Sequence, residues 1–177
     1  MKNTNVARIE QVNVDIHYYI SGPIGDAEKY IDLIDLLYSR RDGDVVYIHL
    51  NTPGGSLDTT IQILNAIEAC KGTVVTIADG SVASAGTLIL LSGRNIVVNP
   101  FSYIMFHDGT ERMGGKLNEN LKQAQFVYKF AKQLFNDVYS PFLTRKEIED
   151  VASGKDLWFT SEEMINRLKK LEKEVNE

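Results

Sequence analysis

The stretch VVYIHLNTPGGSL at residues 45–57 decides the fold class. Residues 45–50 have the β-branched and aromatic content of a buried strand. The NTPGG segment at residues 51–55 ends that strand, because proline and paired glycines punctuate regular structure. Ser56 is then placed to cap a helix whose apolar residues recur at helical spacing, namely Leu57, Ile61, Leu64 and Ile67. The stretch therefore predicts a strand, a tight turn and a helix in direct succession.

Strand-like stretches lie on both sides of this unit. Residues 16–20 (IHYYI) stop at Ser21-Gly22-Pro23, and residues 74–78 (VVTIA) have the same β-branched character. Between the first two strands, Asp26 is placed as the N-cap of a helix with one apolar face, made of Tyr30, Ile34 and Leu37. Strands that alternate with helices predict an α/β fold of βαβ units with a mostly parallel sheet.

Shorter elements continue the pattern toward the carboxyl end. An apolar helix is predicted within residues 83–91, and short strands at 96–98 and 103–106. The sequence has no Pro- or Ser-rich linker and no repeat of fixed period, so residues 1–177 are predicted to form a single domain. Two capping-box patterns, Thr144…Glu147 and Thr160…Glu163, predict two further helices.

A long apolar stripe separates these two groups of elements. Apolar residues recur at spacings of three and four between residues 117 and 138, and Pro141 ends the pattern; they are Leu117, Leu121, Ala124, Val127, Ala131, Leu134 and Val138. This predicts a helix over about residues 115–139. Two interpretations stay open from the pattern alone: the helix packs on its own sheet, or it projects to meet a partner subunit.

Composition narrows the class of protein. The 177 residues carry a net charge of −5 and are 44% hydrophobic, which excludes a disordered chain and does not favour a nucleic-acid binder. A single cysteine, Cys70, excludes an intrachain disulfide framework. No apolar run approaches the ~20 residues that span a bilayer, and residues 1–10 lack the apolar core of a signal peptide. We therefore expect a cytoplasmic protein that binds neither membranes nor nucleic acid.

Two segments have the composition of a nucleophile site. In SVASAG (residues 81–86), Ser84 lies between small residues, after a strand and at a helix start, where unpaired backbone N–H groups can face an oxyanion. The commoner role of an isolated serine at this place is to cap the helix. Gly54-Gly55 follows a buried strand, at the sheet edge where α/β proteins bind ligands. An ordinary strand-to-helix turn would have the same composition.

Histidines and carboxylates give weaker indications. His17 and His49 lie inside predicted strands, where a packed or edge histidine is the more common interpretation. His107 follows a short strand and precedes a polar segment, which is a suitable place for a general base. The histidines and the one cysteine do not have metal-ligand spacing, so no metal centre is expected. Asp156 precedes the apolar cluster Leu157-Trp158-Phe159, which would bury it and hold it against a histidine, although an acid at such a place is more commonly a simple loop residue.

Together these segments resemble a known family. The matching motifs occur in order: ISGPIGD at 20–26, YIHLNTPGGS at 47–56, SVASAG at 81–86, YIMFH at 103–107 and KDLWFTSEE at 155–163. They are similar to those of the proteolytic subunit of the Clp protease (ClpP), a family of self-compartmentalising serine peptidases. The resemblance covers about residues 16–165, which is nearly the whole chain.

The resemblance implies a fold and a set of site residues. The fold would be a ClpP/crotonase-like spiral of βαβ units, with a head at residues 1–113 and 140–177 and a protruding handle helix at about 115–139. It also implies that Ser84 is the nucleophile, His107 the general base and Asp156 the residue that orients the histidine. The backbone N–H groups of Gly55 and Ala85 would form the oxyanion hole, and no cofactor or metal is implied.

The implied function is endopeptidase activity inside a chamber. The substrates would be peptides and unfolded proteins, and the handle would interlock two heptameric rings of identical subunits. The sequence contains no G-x-x-x-x-G-K-[ST] nucleotide loop, so an AAA+ unfoldase that feeds the chamber would be a separate protein.

The sequence also departs from the family pattern. Only about 15 residues precede the first strand, and this region builds the axial pore loops in the family. Gly154-Lys155 stands where an acid-Arg pair is usual, and Asn166-Arg167-Leu168 replaces the usual glycine of the last helix. These differences predict a divergent member, for example one carried by a plasmid or a virus.

Two alternatives of other classes remain. A crotonase-like enzyme would share the spiral architecture and the oxyanion hole but act on acyl-CoA thioesters, without needing a Ser-His-Asp set. A non-catalytic ClpP-like scaffold would assemble with an active paralogue. The presence of Ser84, His107 and Asp156 favours the peptidase over both.

Overall fold

The computed structural model describes residues 13–109 and 114–176. The part of the predicted head at residues 1–12 and 110–113, including the segment assessed for a signal peptide, lies outside the described residues. The strands are β1 Asp15–Ser21, β2 Val45–Thr52, β3 Thr73–Ala83, β4 Asn95–Val98, β5 Tyr103–Phe106 and β6 Leu157–Thr160. The helices are α1 Ile31–Tyr38, α2 Leu57–Ala69, α3 Ala85–Ser92, α4 Leu117–Tyr139, α5 Arg145–Ala152 and α6 Ser161–Asn176.

The strands form one six-stranded sheet in the order β1-β2-β3-β5-β6, with β4 also paired to β3. Every pairing is parallel except that of β5 with β6, which is antiparallel. Strand β3 changes partner along its length, because residues 75–78 pair with β4 and residues 81–83 pair with β5. The predicted α/β fold with a mostly parallel sheet is confirmed.

Strand β3 is longer than predicted. Asp79 and Gly80 favour a turn, so the sequence pattern ends the strand at residue 78, whereas it continues to Ala83. The extension is held by Asn51, whose side-chain oxygen accepts a hydrogen bond from the Ser81 N–H at 3.2 Å, and by the pairing with β5. Tertiary pairing therefore overrides the local turn preference.

The core lies between the sheet and helices α1 to α3 and continues to the buried residues of α4, α5 and α6. On β2, Val46, Ile48 and Leu50 are fully buried and alternate with residues of the other sheet face. Ser56 caps α2 as predicted, since its hydroxyl oxygen accepts from the Thr59 N–H at 3.3 Å. Asp26 makes no such cap: its side chain has no capping hydrogen bond, and the chain enters α1 through the 3₁₀ turn Ala27–Tyr30.

The buried face of α2 overlaps the predicted one only in part, since Ile67 is buried and Leu64 packs against the core. Its fully buried positions are Thr60, Ile63 and Ala66, while Leu57 and Ile61 are only half-buried. Both side chains line a cleft, and Leu57 also packs against the edge of the core. The helical period was therefore correct, but the periodicity did not distinguish a core surface from a cleft wall.

Helix α4 has two different environments along its 23 residues. Phe135 and Tyr139, near its carboxyl end, are buried against the rest of the protein. Leu117, Leu121 and Phe126, toward its amino end, are 85%, 58% and 70% exposed. The apolar stripe therefore packs on its own chain at one end and has exposed apolar side chains at the other. No helix in the described part of the chain is long and apolar enough to cross a membrane.

A half-buried ion pair joins α5 to α6. The Arg167 guanidinium donates two hydrogen bonds to the Glu147 carboxylate, at 2.8 and 2.9 Å, and lies over the Phe159 ring at 4.8 Å. Thr144 and Glu147 also form the predicted capping box. Arg167 thus gives a structural role to the segment in which the sequence departs from the family pattern.

This pair predicts a pH-dependent contribution to stability. The Arg167 hydrogen bonds, with further bonds from Thr144 and against the opposing effect of burial, lower the pKa of Glu147 from 4.5 to about 2. Because the folded pKa is depressed, the stabilisation is complete above pH 4.5 and is lost as the pH falls toward 2. Glu147→Gln should lower the free energy of unfolding at pH 7 by about 1–2 kcal/mol, since the pair is partly exposed to solvent and glutamine can keep some of the hydrogen bonds.

Denaturant unfolding at a series of pH values measures this effect. The difference between wild type and Glu147→Gln should shrink below pH 4.5. Glu149→Gln is the matched control, because its pair with Arg145 lies on the same helix but is exposed, and it should change stability by less than about 1 kcal/mol. Equal losses in the two variants would contradict the assignment.

Candidate active site

Ser84 occupies a strained turn between β3 and α3. Its φ of 55° and ψ of −128° make it the sole non-glycine residue with positive φ in the described chain. Such a conformation costs of order 1–3 kcal/mol and occurs where a nucleophile is raised above a strand-to-helix turn. The Ser84 hydroxyl makes no capping hydrogen bond to α3. The structure therefore does not support the simpler interpretation that Ser84 caps the helix.

Backbone contacts hold this turn against its neighbours. The Ser84 N–H donates to the Met105 carbonyl at 2.9 Å, which ties the end of β3 to β5. A Cβ on Gly86 would lie 2.6 Å from the Thr52 side chain, so α3 packs directly on the end of β2. The small residues around Ser84 are therefore required by close packing as well as by access to the hydroxyl.

The glycine pair lies beside the serine. A Cβ on Gly54 would stand 2.7 Å from the Ser84 Cβ. Gly55 forms a bridge with Ile24, and a Cβ on Gly55 would overlap the Ile24 carbonyl oxygen. Ile24 also donates to the Gly54 carbonyl at 2.9 Å and accepts from the Ser56 N–H at 2.8 Å. Residues 54 and 55 thus form a fixed backbone wall next to Ser84.

His107 and Asp156 flank the last pair of the β5–β6 ladder. Phe106 of β5 is paired with Leu157 of antiparallel β6, so His107 directly follows one strand and Asp156 directly precedes the other. The ladder itself does not include either residue. Because β5 runs parallel to the end of β3, His107 follows its strand at the same edge of the sheet as Ser84.

The structure brings two of the three predicted triad residues to one cleft. Ser84 and His107 are half-buried and line one cleft, whereas Asp156 is exposed and is not part of the cleft lining. In the described structure no hydrogen bond links the side chains of Ser84, His107 and Asp156. Catalytic hydrogen bonds are often long without substrate, so the triad stays a prediction that the backbone geometry permits.

The cleft has a volume of about 1120 Å³ and two kinds of wall. One wall carries the polar groups, from Gly54-Gly55, Ser84-Ala85 and His107-Asp108. Another part of the lining comes from α4 and is mainly apolar, including Phe126, Val127, Phe130 and Ala131. Polar groups together with apolar side chains in one cleft suit a ligand that has both polar and apolar groups.

The two predicted oxyanion donors, Gly55 and Ala85, both line the cleft. Ala85 is the first residue of α3, where N–H groups have no partner within the helix and the helix dipole is positive. Gly55 belongs to the same cleft lining. A hydroxyl, an imidazole and backbone donors at one edge are the groups needed for acyl transfer by nucleophilic attack.

A contact between His17 and His49, away from the cleft, was not anticipated from the sequence. His17 Nδ1 and His49 Nε2 are 2.9 Å apart, and His49 Nδ1 lies 2.7 Å from the Asp79 carboxylate. Tyr47 stacks on His17 and Tyr19 on His49, with ring centroids 4.5 and 4.4 Å apart. The sequence signal that could have predicted this contact is the alternation of His and Tyr on β1 and on β2. Among the described residues no group of three His, Cys, Asp or Glu could hold a metal ion.

Comparison with known proteins identifies relatives along most of the chain. The family model described as Clp protease matches residues 5–167. The chain is similar to the ATP-dependent Clp protease proteolytic subunit 1 of Leifsonia xyli subsp. xyli, with 29% identity over 72% of this chain and 64% of that protein. It is also similar to the ATP-dependent Clp protease proteolytic subunit of Borreliella afzelii, with 25% identity over 83% of this chain and 77% of that protein. The chain thus spans less than two thirds of the Leifsonia protein.

Proposed function

Because the chain belongs to the Clp protease family, we propose that it is a serine endopeptidase that hydrolyses peptides and unfolded proteins. The observation that carries the proposal is the strained turn at Ser84, which places a hydroxyl without a capping role in a cleft with His107. Strain of this kind persists where the surrounding structure enforces it for function. A helix cap alone would need no such conformation.

The proposed reaction uses the groups at the cleft edge. Ser84 Oγ attacks the peptide carbonyl while His107 takes its proton, and the resulting oxyanion is bound by the N–H groups of Gly55 and Ala85. His107 then gives the proton to the leaving amine, and water releases the acyl group by the same steps in reverse order. Asp156 is proposed to orient His107 once its carboxylate turns toward the His107 imidazole. The two residues flank the last pair of the β5–β6 ladder, which supports this role.

Assembly into rings is part of the proposal. The exposed apolar residues of α4, including Leu117, Leu121 and Phe126, favour a helix that meets another subunit. We propose that residues 115–139 act as the handle on a head formed by the rest of the chain, and that heptameric rings stack in pairs through it. The names of the relatives include ATP dependence, which for this chain would come from a separate AAA+ unfoldase.

A serine-reactive fluorophosphonate tests the proposed activity. The purified protein should form one covalent adduct per chain, and mass spectrometry of a digest should place it on Ser84. Light scattering should show a particle far larger than the 19.9 kDa monomer. An unlabelled protein, or an adduct on another serine, would overturn the proposal. In that case, binding of CoA esters would support a crotonase-like enzyme, and cleavage seen only with a second subunit would support a scaffold.

A further inference from the structure

A buried tyrosine of α4 reaches the backbone of the nucleophile through one intermediate residue. The Tyr139 hydroxyl lies 2.8 Å from Thr87 Oγ1, and Thr87 Oγ1 donates to the Ser84 carbonyl oxygen at 2.6 Å. Tyr139 is 1% exposed and Thr87 is fully buried. The Thr87 N–H donates to the same Ser84 carbonyl at 2.9 Å. The carbonyl is therefore held by two donors of one residue, which is itself held by Tyr139.

The number of hydrogens on each hydroxyl determines which residue donates and which accepts in these hydrogen bonds. A threonine hydroxyl has one hydrogen, and here it goes to the Ser84 carbonyl, which can only accept. Tyr139 must then donate its own hydrogen to Thr87 Oγ1. Burial raises the pKa of Tyr139 above its ordinary range, against a smaller opposing effect of the Thr87 hydrogen bond, so the phenol keeps the proton that it donates. Successive hydrogen bonds of this kind polarise and strengthen one another.

The carbonyl held in this way belongs to the peptide that carries the Ala85 N–H. A trans peptide is planar, and its N–H points opposite to its C=O. When the Ser84 carbonyl is anchored into the protein, the Ala85 N–H is aimed away from the anchor. With Ser84 strained at φ 55° and ψ −128°, a peptide without this anchor would be free to rotate toward a relaxed conformation.

We propose that Tyr139 and Thr87 are positioning residues. They fix the direction in which the Ala85 N–H points, and so the geometry of the oxyanion hole. This inference rests on the proposed function, because it assigns Ala85 as an oxyanion donor. It also connects α4 to the chemistry, since Tyr139 is the last residue of that helix. A purely structural pair would instead satisfy two buried hydroxyls without any effect on the reaction.

Tyr139→Phe tests the proposal with little change in packing. The ring would keep its edge-to-face contact with Phe106 and its stacking on Phe135, at centroid distances of 5.0 and 5.1 Å. Complete removal of an oxyanion donor costs 10²–10³ in kcat, so a donor that is only misdirected should lower kcat by about tenfold. KM should change by less than about twofold, because ground-state binding does not need the oxyanion hole.

Variants of Thr87 test the second positioning residue, and a variant of Tyr38 serves as the control. Thr87→Ser keeps the hydroxyl and should retain most of the activity, whereas Thr87→Val should show the same fall in kcat as Tyr139→Phe. Tyr38→Phe, which deletes an exposed hydroxyl on α1, should leave kcat unchanged. Amide hydrogen exchange at Thr87 is a readout independent of activity, and it should accelerate in Tyr139→Phe because Thr87, no longer fixed by the Tyr139 hydroxyl, holds the Ser84 carbonyl less firmly.

The outcomes separate this inference from the proposed function. An active wild type whose kcat is unaffected by Tyr139→Phe would overturn the positioning role and leave the peptidase intact. A wild type that forms no adduct at Ser84 would overturn the peptidase and, with it, the oxyanion role of Ala85. In that second case, unchanged exchange at Thr87 would also exclude the anchor itself.

Discussion

Ser84→Ala is expected to lower kcat for peptide cleavage by about 10⁴-fold or more while leaving the fold intact. Loss of the nucleophile removes the covalent step and leaves only the contributions of binding and the oxyanion hole. Alanine has the same Cβ as serine, so the strain at φ 55° is unchanged by the substitution. The free energy of unfolding should therefore stay within about 0.5 kcal/mol of wild type.

Peptidase kinetics on a fluorogenic peptide and denaturant unfolding measure the two effects. Ser81→Ala is the matched control: it removes a hydroxyl three positions earlier in β3, where the backbone N–H but not the hydroxyl bonds Asn51. Its kcat should match wild type within about twofold. Comparable activity in Ser84→Ala and wild type would show that another group is the nucleophile.

Gly55→Ala should have the largest effect on stability. Its new methyl group would overlap the carbonyl oxygen of Ile24, with the backbone N and C of the same residue each 2.9 Å away. Backbone atoms cannot move aside as a flexible side chain can, so the bridge between Ile24 and Gly55 must open. The φ of 151° adds strain for any residue with a Cβ. A loss of more than about 3 kcal/mol in the free energy of unfolding is expected.

Gly25→Ala provides the control for this prediction. Gly25 is a neighbour of Ile24 in the same turn, but a Cβ there would meet only the side chain of Lys29, at 3.5 Å. Its unfolding free energy should change by less than about 1 kcal/mol. The Gly55→Ala protein, if it folds, should also lose peptidase activity, since its oxyanion wall is displaced. A Gly55→Ala variant as stable as Gly25→Ala would contradict the close approach.

Much of the fold follows from local patterns in the sequence. Strands β1 and β2, the Ser56 cap, helix α4 and both capping boxes were predicted because each depends on residues close together in the chain. The end of β3 was wrong because the pairing that extends it comes from β5, more than twenty residues later. Patterns of period two or 3.6 identify an apolar face, but they do not identify the surface that it covers.

In the candidate site, too, local features could be predicted from the sequence and long-range contacts could not. Small residues around Ser84 and the glycine pair predicted room for a ligand, and the structure shows in addition that they are packed closely against each other. The Tyr139–Thr87 contact joins residues 52 positions apart, and neither residue type indicates it on its own. The pairing of His17 with His49 is also long-range, although the alternating His and Tyr of both strands contained a usable signal.

The positive φ of Ser84 has a consequence for how this position tolerates change. Glycine adopts such a conformation without the Cβ penalty, so the fold alone would prefer glycine to serine there. Stability and the proposed reaction therefore favour different residues at position 84. A descendant that assembled but no longer cleaved peptides would have no reason to keep the serine, and drift to glycine at this position would mark the loss of catalysis.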